Sequence, residues 1–254
     1  MQYTNKSPDV LDRIGMHLWP NAFSNKNTEF GKQKLLHRKT KFYDAKPDEL
    51  GSIQNLRFTV NKDEVRLEYL KNKPDQAWLH LKNPLLPGNT IIIETPFTVK
   101  IPVSFSRLGH VGQTYQITQW YPKPAVYDHK GWHLMPNLDQ GEFYSEFGNF
   151  EVSIKIPENY VVGATGTLET ETEKEFLKQR ISLTDQFIKD GVEKFSNLLA
   201  SSKKFKIITY KAEQVHDFAW FADKKFYVQK DEVVLESGKK IETWAMFNTL
   251  GAWT

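Results

Sequence analysis

Apolar and polar residues alternate with a period of two along most of this chain, the pattern of half-buried strands. Leu56, Phe58 and Val60 alternate with Arg57 and Thr59, and Val65, Leu67 and Tyr69 alternate with Arg66 and Glu68. Asn61-Lys62-Asp63 between them is turn-like, so the two runs predict a hairpin. Ala77, Leu79 and Leu81 predict a further short strand. Pro87-Gly88-Asn89 marks a turn. The longest alternation runs from Ile91 through Ile93, Thr95, Phe97, Val99 and Ile101 to Val103, with Pro96 and Pro102 on the opposite face. Proline cannot donate to a ladder, so this run predicts an edge or bulged strand. Phe150, Val152, Ile154 and Ile156 alternate with Glu151, Ser153 and Lys155 until Pro157 stops the run. Residues 233–236 and 241–247 flank Ser237-Gly238 and predict a second hairpin.

One segment departs from this period. Ile188, Val192, Phe195 and Leu199 are spaced four, three and four apart, which predicts a helix. Thr184 or Asp185 would cap it, and Gly191 inside it would cost about 1 kcal/mol relative to alanine. A weaker helical turn is expected near residues 28–36. The stretch 106–147 is long, aromatic and irregular, and such segments in compact domains are often functional. The 254 residues suffice for one large all-β domain or two small ones. Seven Trp, ten Tyr and seventeen Phe favour strands over helices.

Charge and composition narrow the chemistry. The net charge is only +3, from 34 basic and 31 acidic residues, and no basic stripe emerges, which argues against nucleic acid as a partner. The absence of cysteine removes disulfides, thiolate metal sites and a cysteine nucleophile. No apolar run reaches the roughly 18 residues of a transmembrane segment. Of the seven histidines, none begins an H-E-x-x-H zinc signature. His129 and His133 have its spacing, but Lys130 stands where the glutamate would be and Gly131 lies between them, so they read as plain loop histidines. Asp139, Glu142 and Glu146 read as a solvated or loop-capping set. There is no nucleophile elbow, phosphate-cradling loop or dinucleotide fingerprint.

Two stretches nevertheless carry a resemblance. Residues 115–128 read YQITQWYPKPAVYD and residues 211–223 read KAEQVHDFAWFAD. The first resembles the T-Q-F-E-P … P-C-F-D-E-P region of the aminopeptidase N family of zinc metallopeptidases. Thr118-Gln119 matches its T-Q pair, and Tyr127-Asp128 matches its aromatic-Asp pair. The second resembles the family's A-E-N-V-H-D-F-A-W-A-A-D, found later in the same domain. Between them, FEVSIKIPENY at residues 150–160 and Gly163-Ala-Thr-Gly166 resemble the family's next strand and turn. His17 to Phe23, Phe105 to His110 and Gly131 to His133 resemble a bacterial subgroup. The resemblance covers nearly the whole chain.

It implies that residues 1–254 form a single N-terminal domain, mainly β. This would be a saddle-like antiparallel multi-sheet domain with one or two short helices, from which one or both of the family's first strands are missing. The family's catalytic domain follows this one and carries the zinc, so the resemblance implies no cofactor and no catalytic residue in this chain. The expected partners are that catalytic domain and the N-terminus of a peptide substrate. In the family a Gln of the N-terminal domain helps to hold the substrate α-ammonium, and the match makes Gln119 that residue. The family often has Glu two places later; here Tyr121 stands there, placed to pack on the first substrate side chain. His216-Asp217-Phe218 reads as structural, with His216 and Asp217 supplying local hydrogen bonds. The sequence does not fix the compartment, and the bacterial subgroup points to a secreted, periplasmic or surface-attached parent. Two other readings stay open. One is a free-standing β-module that binds glycan or protein through Trp120, Trp132 and Tyr144. The other is a domain of an inactive paralogue.

Overall fold

The computed structural model describes residues 1–190 and 200–248. The chain is mainly β, with several antiparallel sheets and, among the described residues, two α-helices. It divides into two compact units. The first comprises Met1–Val111 and Ile117–Phe147, the second Gly112–Gln116 and Gly148–Thr254.

The first unit is built around the strand Leu11–His17. It pairs antiparallel with Lys73–Leu85 on one side and Lys123–Pro124 on the other, and Leu67–Leu70 extends the sheet beyond Lys73–Leu85. Ile14, Met16, Ala77 and Leu79 point to one face and are fully buried in an apolar core with Phe58, Ile53 and Ile93. Burying each large aliphatic side chain contributes about 1.5–3 kcal/mol. The hairpin expected after Phe58 forms, but it is short. Thr59–Val60 pairs with Asp63–Glu64, and Asn61 and Lys62 between them both have positive φ, 49° and 74°. Leu67 and Tyr69 do not continue this hairpin and instead pair with Leu79 and Ala77. The Leu86–Asn89 turn closes as predicted, with Gly88 at φ 77° and Asn89 N donating to Leu86 O at 3.1 Å.

The long alternation from Ile91 is not one edge strand. Thr90–Glu94 lies inside a four-stranded sheet, between Gln2–Thr4 and Thr59–Val60. Thr98–Lys100 pairs separately with Ser52–Gln54. Pro96 falls in the break. Alternation of apolar positions survives across a break in the ladder, so period alone does not reveal which partner each half takes.

Helix α1, Glu29–Leu36, starts where Thr28 Oγ1 accepts from Gly31 N at 3.2 Å. The same hydroxyl donates to Ala22 O at 2.7 Å. Phe23, Phe30, Phe42 and Phe105 pack tilted or edge-on in a buried group, with neighbouring ring centroids 4.7–5.0 Å apart.

In the second unit, Gly148–Pro157 pairs with Phe205–Val215, which also pairs with Thr167–Leu168. Val161–Ala164 pairs with Trp220–Asp223, beside Thr114–Ile117. Ile154, Ile156, Ile208, Tyr210 and Phe218 form the core between these elements. Tyr227–Val234 and Lys240–Phe247 form the hairpin predicted around Ser237-Gly238.

Helix α2, Glu171–Asp190, starts well before the expected caps at Thr184 and Asp185 and includes Ile188 near its end. Its buried positions are Glu173, Leu177, Thr184 and Phe187, while Ile188 is exposed. The predicted positions Gly191, Val192, Phe195 and Leu199 lie outside the described residues. Thr184 does not cap a helix. It sits mid-helix, donating to Arg180 O at 2.9 Å and accepting from Val228 N at 3.0 Å, which fastens α2 to the Tyr227–Val234 strand. Asp185 lies within the helix as well. No described helix is long and apolar enough to cross a membrane.

Candidate functional site

Of the segment singled out in the sequence, residues 115–128, residues 117–128 belong to the first unit. The strand Thr114–Ile117 stops before Gln119. Gln119 has φ 48°, the left-handed region that costs an L-residue about 1–2 kcal/mol. The reversal there turns the chain into Trp120 and Tyr121. Trp120 packs on Phe97, centroids 5.9 Å apart, and meets the Tyr121 ring edge-on at 5.4 Å. Gln119, Trp120 and Tyr121 are all half-buried, and the Gln119 side-chain oxygen is enclosed by protein. Strain held in place by flanking aromatic packing is a feature of functional loops.

Past Pro122 the chain re-enters the sheet, with Lys123 opposite His17 and Pro124 opposite Met16. Lys123 is buried, and its ammonium lies 6.0 Å from the Tyr121 ring and 5.9 Å from the Trp19 ring. Trp19 stacks on the His17 imidazole at 4.4 Å and donates from Nε1 to Met135 O at 3.1 Å. His17 Nε2 accepts from Met135 N at 3.1 Å. Burial, then the nearby Lys123 charge, pushes the His17 pKa down to about 3, so this ring is neutral. Next to Gln76, the strand partner of His17, burial pushes the Asp75 carboxyl up to about 6, opposed by the hydrogen bond from Asn137 N at 2.8 Å. These buried polar residues were missed by sequence reasoning. Each sits alone in its local run, and pairing across more than fifty residues brings them together.

The histidines of the 127–133 segment lie on a tight hairpin, with Tyr127 opposite Trp132 and Asp128 opposite Gly131. His129 is exposed at the tip, and His133 Nε2 meets Asp128 Oδ1 at 2.8 Å. Tyr144 crosses the His133 ring edge-on at 5.2 Å. The hydrogen bond from His133 holds the Asp128 carboxyl below its usual range. Trp132 packs against Tyr127, Trp78 and Tyr3. His216 is exposed, and Asp217 Oδ1 accepts from Phe218 N at 2.8 Å beside the fully buried Phe218 ring. Among the described residues, no group of three or more His, Asp or Glu comes together that could hold a metal.

The carboxylates expected to be solvated separate in the structure. Glu142 is exposed near Arg107. Asp139 is instead a buried anchor, reached by Lys34 at 3.1 Å, Lys39 at 3.0 Å and Ser106 at 2.9 Å. Its two lysine partners lie a hundred or more residues away in sequence, which no local pattern reveals.

No family model and no curated protein matches the chain. Solved structures similar to it include M1 zinc metallopeptidases. One from Deinococcus radiodurans, a variant bound to a Tyr-Ser-Ala substrate, is 12% identical with a TM-score of 0.48, over 100% of this chain and 44% of that one. A two-domain M1 zinc metallopeptidase variant bound to L-arginine is 11% identical with a TM-score of 0.46, over 96% of this chain and 42% of that one. The chain therefore spans less than half the length of these proteins.

Proposed function

We propose that residues 1–254 are the N-terminal, non-catalytic domain of a zinc-dependent aminopeptidase that removes N-terminal residues from peptides. The reading is supported by the two family-like stretches at 115–128 and 211–223, which occur in the family's order. The observation that carries it is Gln119. The residue matched to the family's T-Q pair is held at φ 48° beside Trp120 and Tyr121, a conformation that a plain sheet-rim glutamine does not need.

In this account the following domain holds the zinc, which supplies polarisation of the scissile carbonyl and an acidified water. Among the described residues no group fits a zinc site, and none of their proposed roles runs through a metal. Their contribution is to support the catalytic domain and to receive the substrate amine. An ammonium offers three donors, and a Gln amide oxygen adds one acceptor without adding charge. Because that oxygen is enclosed here, anchoring an ammonium requires the Gln119 amide to turn outward. Tyr121 replaces the family's acidic residue, so this position adds no negative charge, and its ring is offered to the first substrate side chain.

The native coding sequence past Thr254, with the zinc content of the full-length protein, tests the assignment. An H-E-x-x-H motif with a distant glutamate and one bound zinc is expected. A stop codon, or a following domain without those ligands, overturns it.

A further inference from the structure

In the second unit, Gly148–Pro157 ends its three-stranded sheet and pairs only with Phe205–Val215. The ladder fixes which backbone groups face the other way. Thr209, the partner of Ser153, turns both of its backbone groups away from Gly148–Pro157. Its N–H donates to Thr170 Oγ1 at 2.9 Å, and its C=O accepts from Glu169 N at 2.9 Å. In an antiparallel ladder, opposed residues alternately exchange both backbone bonds or neither. Ser153 and Thr209 exchange neither, and the same phase holds for Glu151 opposite Lys211 and Lys155 opposite Ile207. The N–H and C=O groups of Glu151, Ser153 and Lys155 therefore point to the outer edge, where no backbone group among the described residues meets them. Pro157 stands in the same phase, and its missing N–H is tolerated on an edge.

Glu151, Ser153 and Lys155 share one face, and all three are exposed. Their order makes the edge complementary to itself. Antiparallel pairing with a second copy about Ser153 puts Glu151 opposite Lys155 of that copy and Lys155 opposite its Glu151, with Ser153 facing Ser153. Every residue so opposed aims its backbone donor and acceptor at its counterpart, so each pair exchanges both bonds. Opposite charges directly across a ladder stabilise it, and like charges destabilise it. Glu151 already meets Lys211 at 3.4 Å within the chain, so the pairing extends a row of alternating charge. On the other face Val152 is opposed by Ile154, apolar against apolar. The neighbouring registers of the same phase put Glu151 opposite Ser153 or Pro157 and make neither ion pair.

We propose that this edge joins two copies of the chain into a dimer, by antiparallel pairing of residues 151–155 about Ser153. An uncovered edge strand is a template for such pairing, and the two Glu151–Lys155 contacts select the partner and the register. The contact is small, so the dimer is weak and concentration-dependent. It does not depend on the proposed enzymatic role.

Analytical ultracentrifugation of this chain over a concentration series tests the proposal. The 29.6 kDa chain should approach twice its mass as concentration rises, and added salt should weaken the association. Glu151→Lys and Lys155→Glu should each weaken dimerisation by about tenfold or more, because like charges then face each other at both positions. An equimolar mixture of the two variants should regain the dimer, since each supplies the charge that the other lacks. A misfolded variant could not give that recovery. A wild type that stays monomeric, a single variant that dimerises as well as the wild type, or a mixture that stays monomeric overturns the proposal.

Discussion

Lys34 on α1 and Asp139 in the long irregular segment meet at 3.1 Å, with side chains only 9% and 8% exposed. Asp139 also takes Lys39 and the Ser106 hydroxyl, and Lys34 donates to Phe105 O at 2.7 Å. The pair ties the helix to the segment that carries the candidate site. Removing one partner of a buried pair leaves the other charge uncompensated, which costs about 3–5 kcal/mol. Asp139→Ala should therefore destabilise the protein by that order in urea unfolding near pH 7. Burial raises the Asp139 pKa, but the hydrogen bonds from Lys39, Lys34 and Ser106 outweigh it and leave the carboxyl at about 2. A depressed folded-state pKa gives stability that is present above the unfolded value and is lost as pH falls between about 4 and 2. The Asp139→Ala penalty should shrink across that window, and a penalty that stays constant down to pH 2 would contradict the ion-pair account.

Asp75 works in the opposite direction. Burial raises its folded-state pKa from 3.8 to about 6, so its stabilising protonated form is present below pH 4 and that contribution is lost as pH rises through 6. Asp75→Asn keeps an acceptor for Asn137 N and removes the buried charge. It should be more stable than the wild type by about 1–3 kcal/mol at pH 7.5, with the gain gone at pH 4. Denaturant midpoints at the two pH values decide this.

His17 gives the acid-side counterpart. Its pKa falls from 6.5 to about 3 on folding, so its contribution is present above 6.5 and is lost as pH falls toward 3. Between pH 7 and pH 5 this one group should cost about 2 kcal/mol. A His17 ring signal that titrates with a midpoint near 6.5 in the folded protein would refute its burial as a neutral ring.

Gly166 has φ 91°, and a Cβ there would overlap the Lys211 carbonyl oxygen. Backbone cannot yield as a flexible side chain can, so strain and overlap add. Gly166→Ala should cost about 3 kcal/mol or more in thermal unfolding. Lys62 offers the reverse case, since Asn61 and Lys62 are both left-handed in a two-residue hairpin loop, the type I′ pattern that favours Asn-Gly. Lys62→Gly should stabilise by about 0.5–1 kcal/mol, and a lower Tm would contradict that turn.

The sequence made the strands legible where one face is buried and the other solvated, as at Phe150 to Ile156, and it made the hairpin around Ser237-Gly238 legible through its turn residues, although most of that hairpin is exposed on both faces. It misled where a polar residue stands at a buried helical position. Leu177, Thr184 and Phe187 share the buried stripe of α2 with Glu173, and Glu173 is neutralised by Lys206 at 2.7 Å. Hydropathy scores Glu173 and Thr184 as exposed, so the apolar period shifted toward Ile188. The resemblance singled out Gln119 and Tyr121, but the left-handed turn at Gln119 was not legible, because the residue type does not demand it. The row of Gln76, His17 and Lys123 was invisible for a different reason. Its members are joined only by strand pairing between distant parts of the chain.

The most direct test of the proposed function is kcat/KM of the full-length protein for peptides with a free N-terminus, measured for the wild type and for Gln119→Ala. A hydrogen bond to a charged group contributes about 1.5–3 kcal/mol. The account predicts zinc-dependent release of N-terminal residues, with a drop of about ten- to a hundredfold in the variant. An unchanged kcat/KM would remove Gln119 from the amine site, and no aminopeptidase activity in the wild type would contradict the assignment of the whole chain.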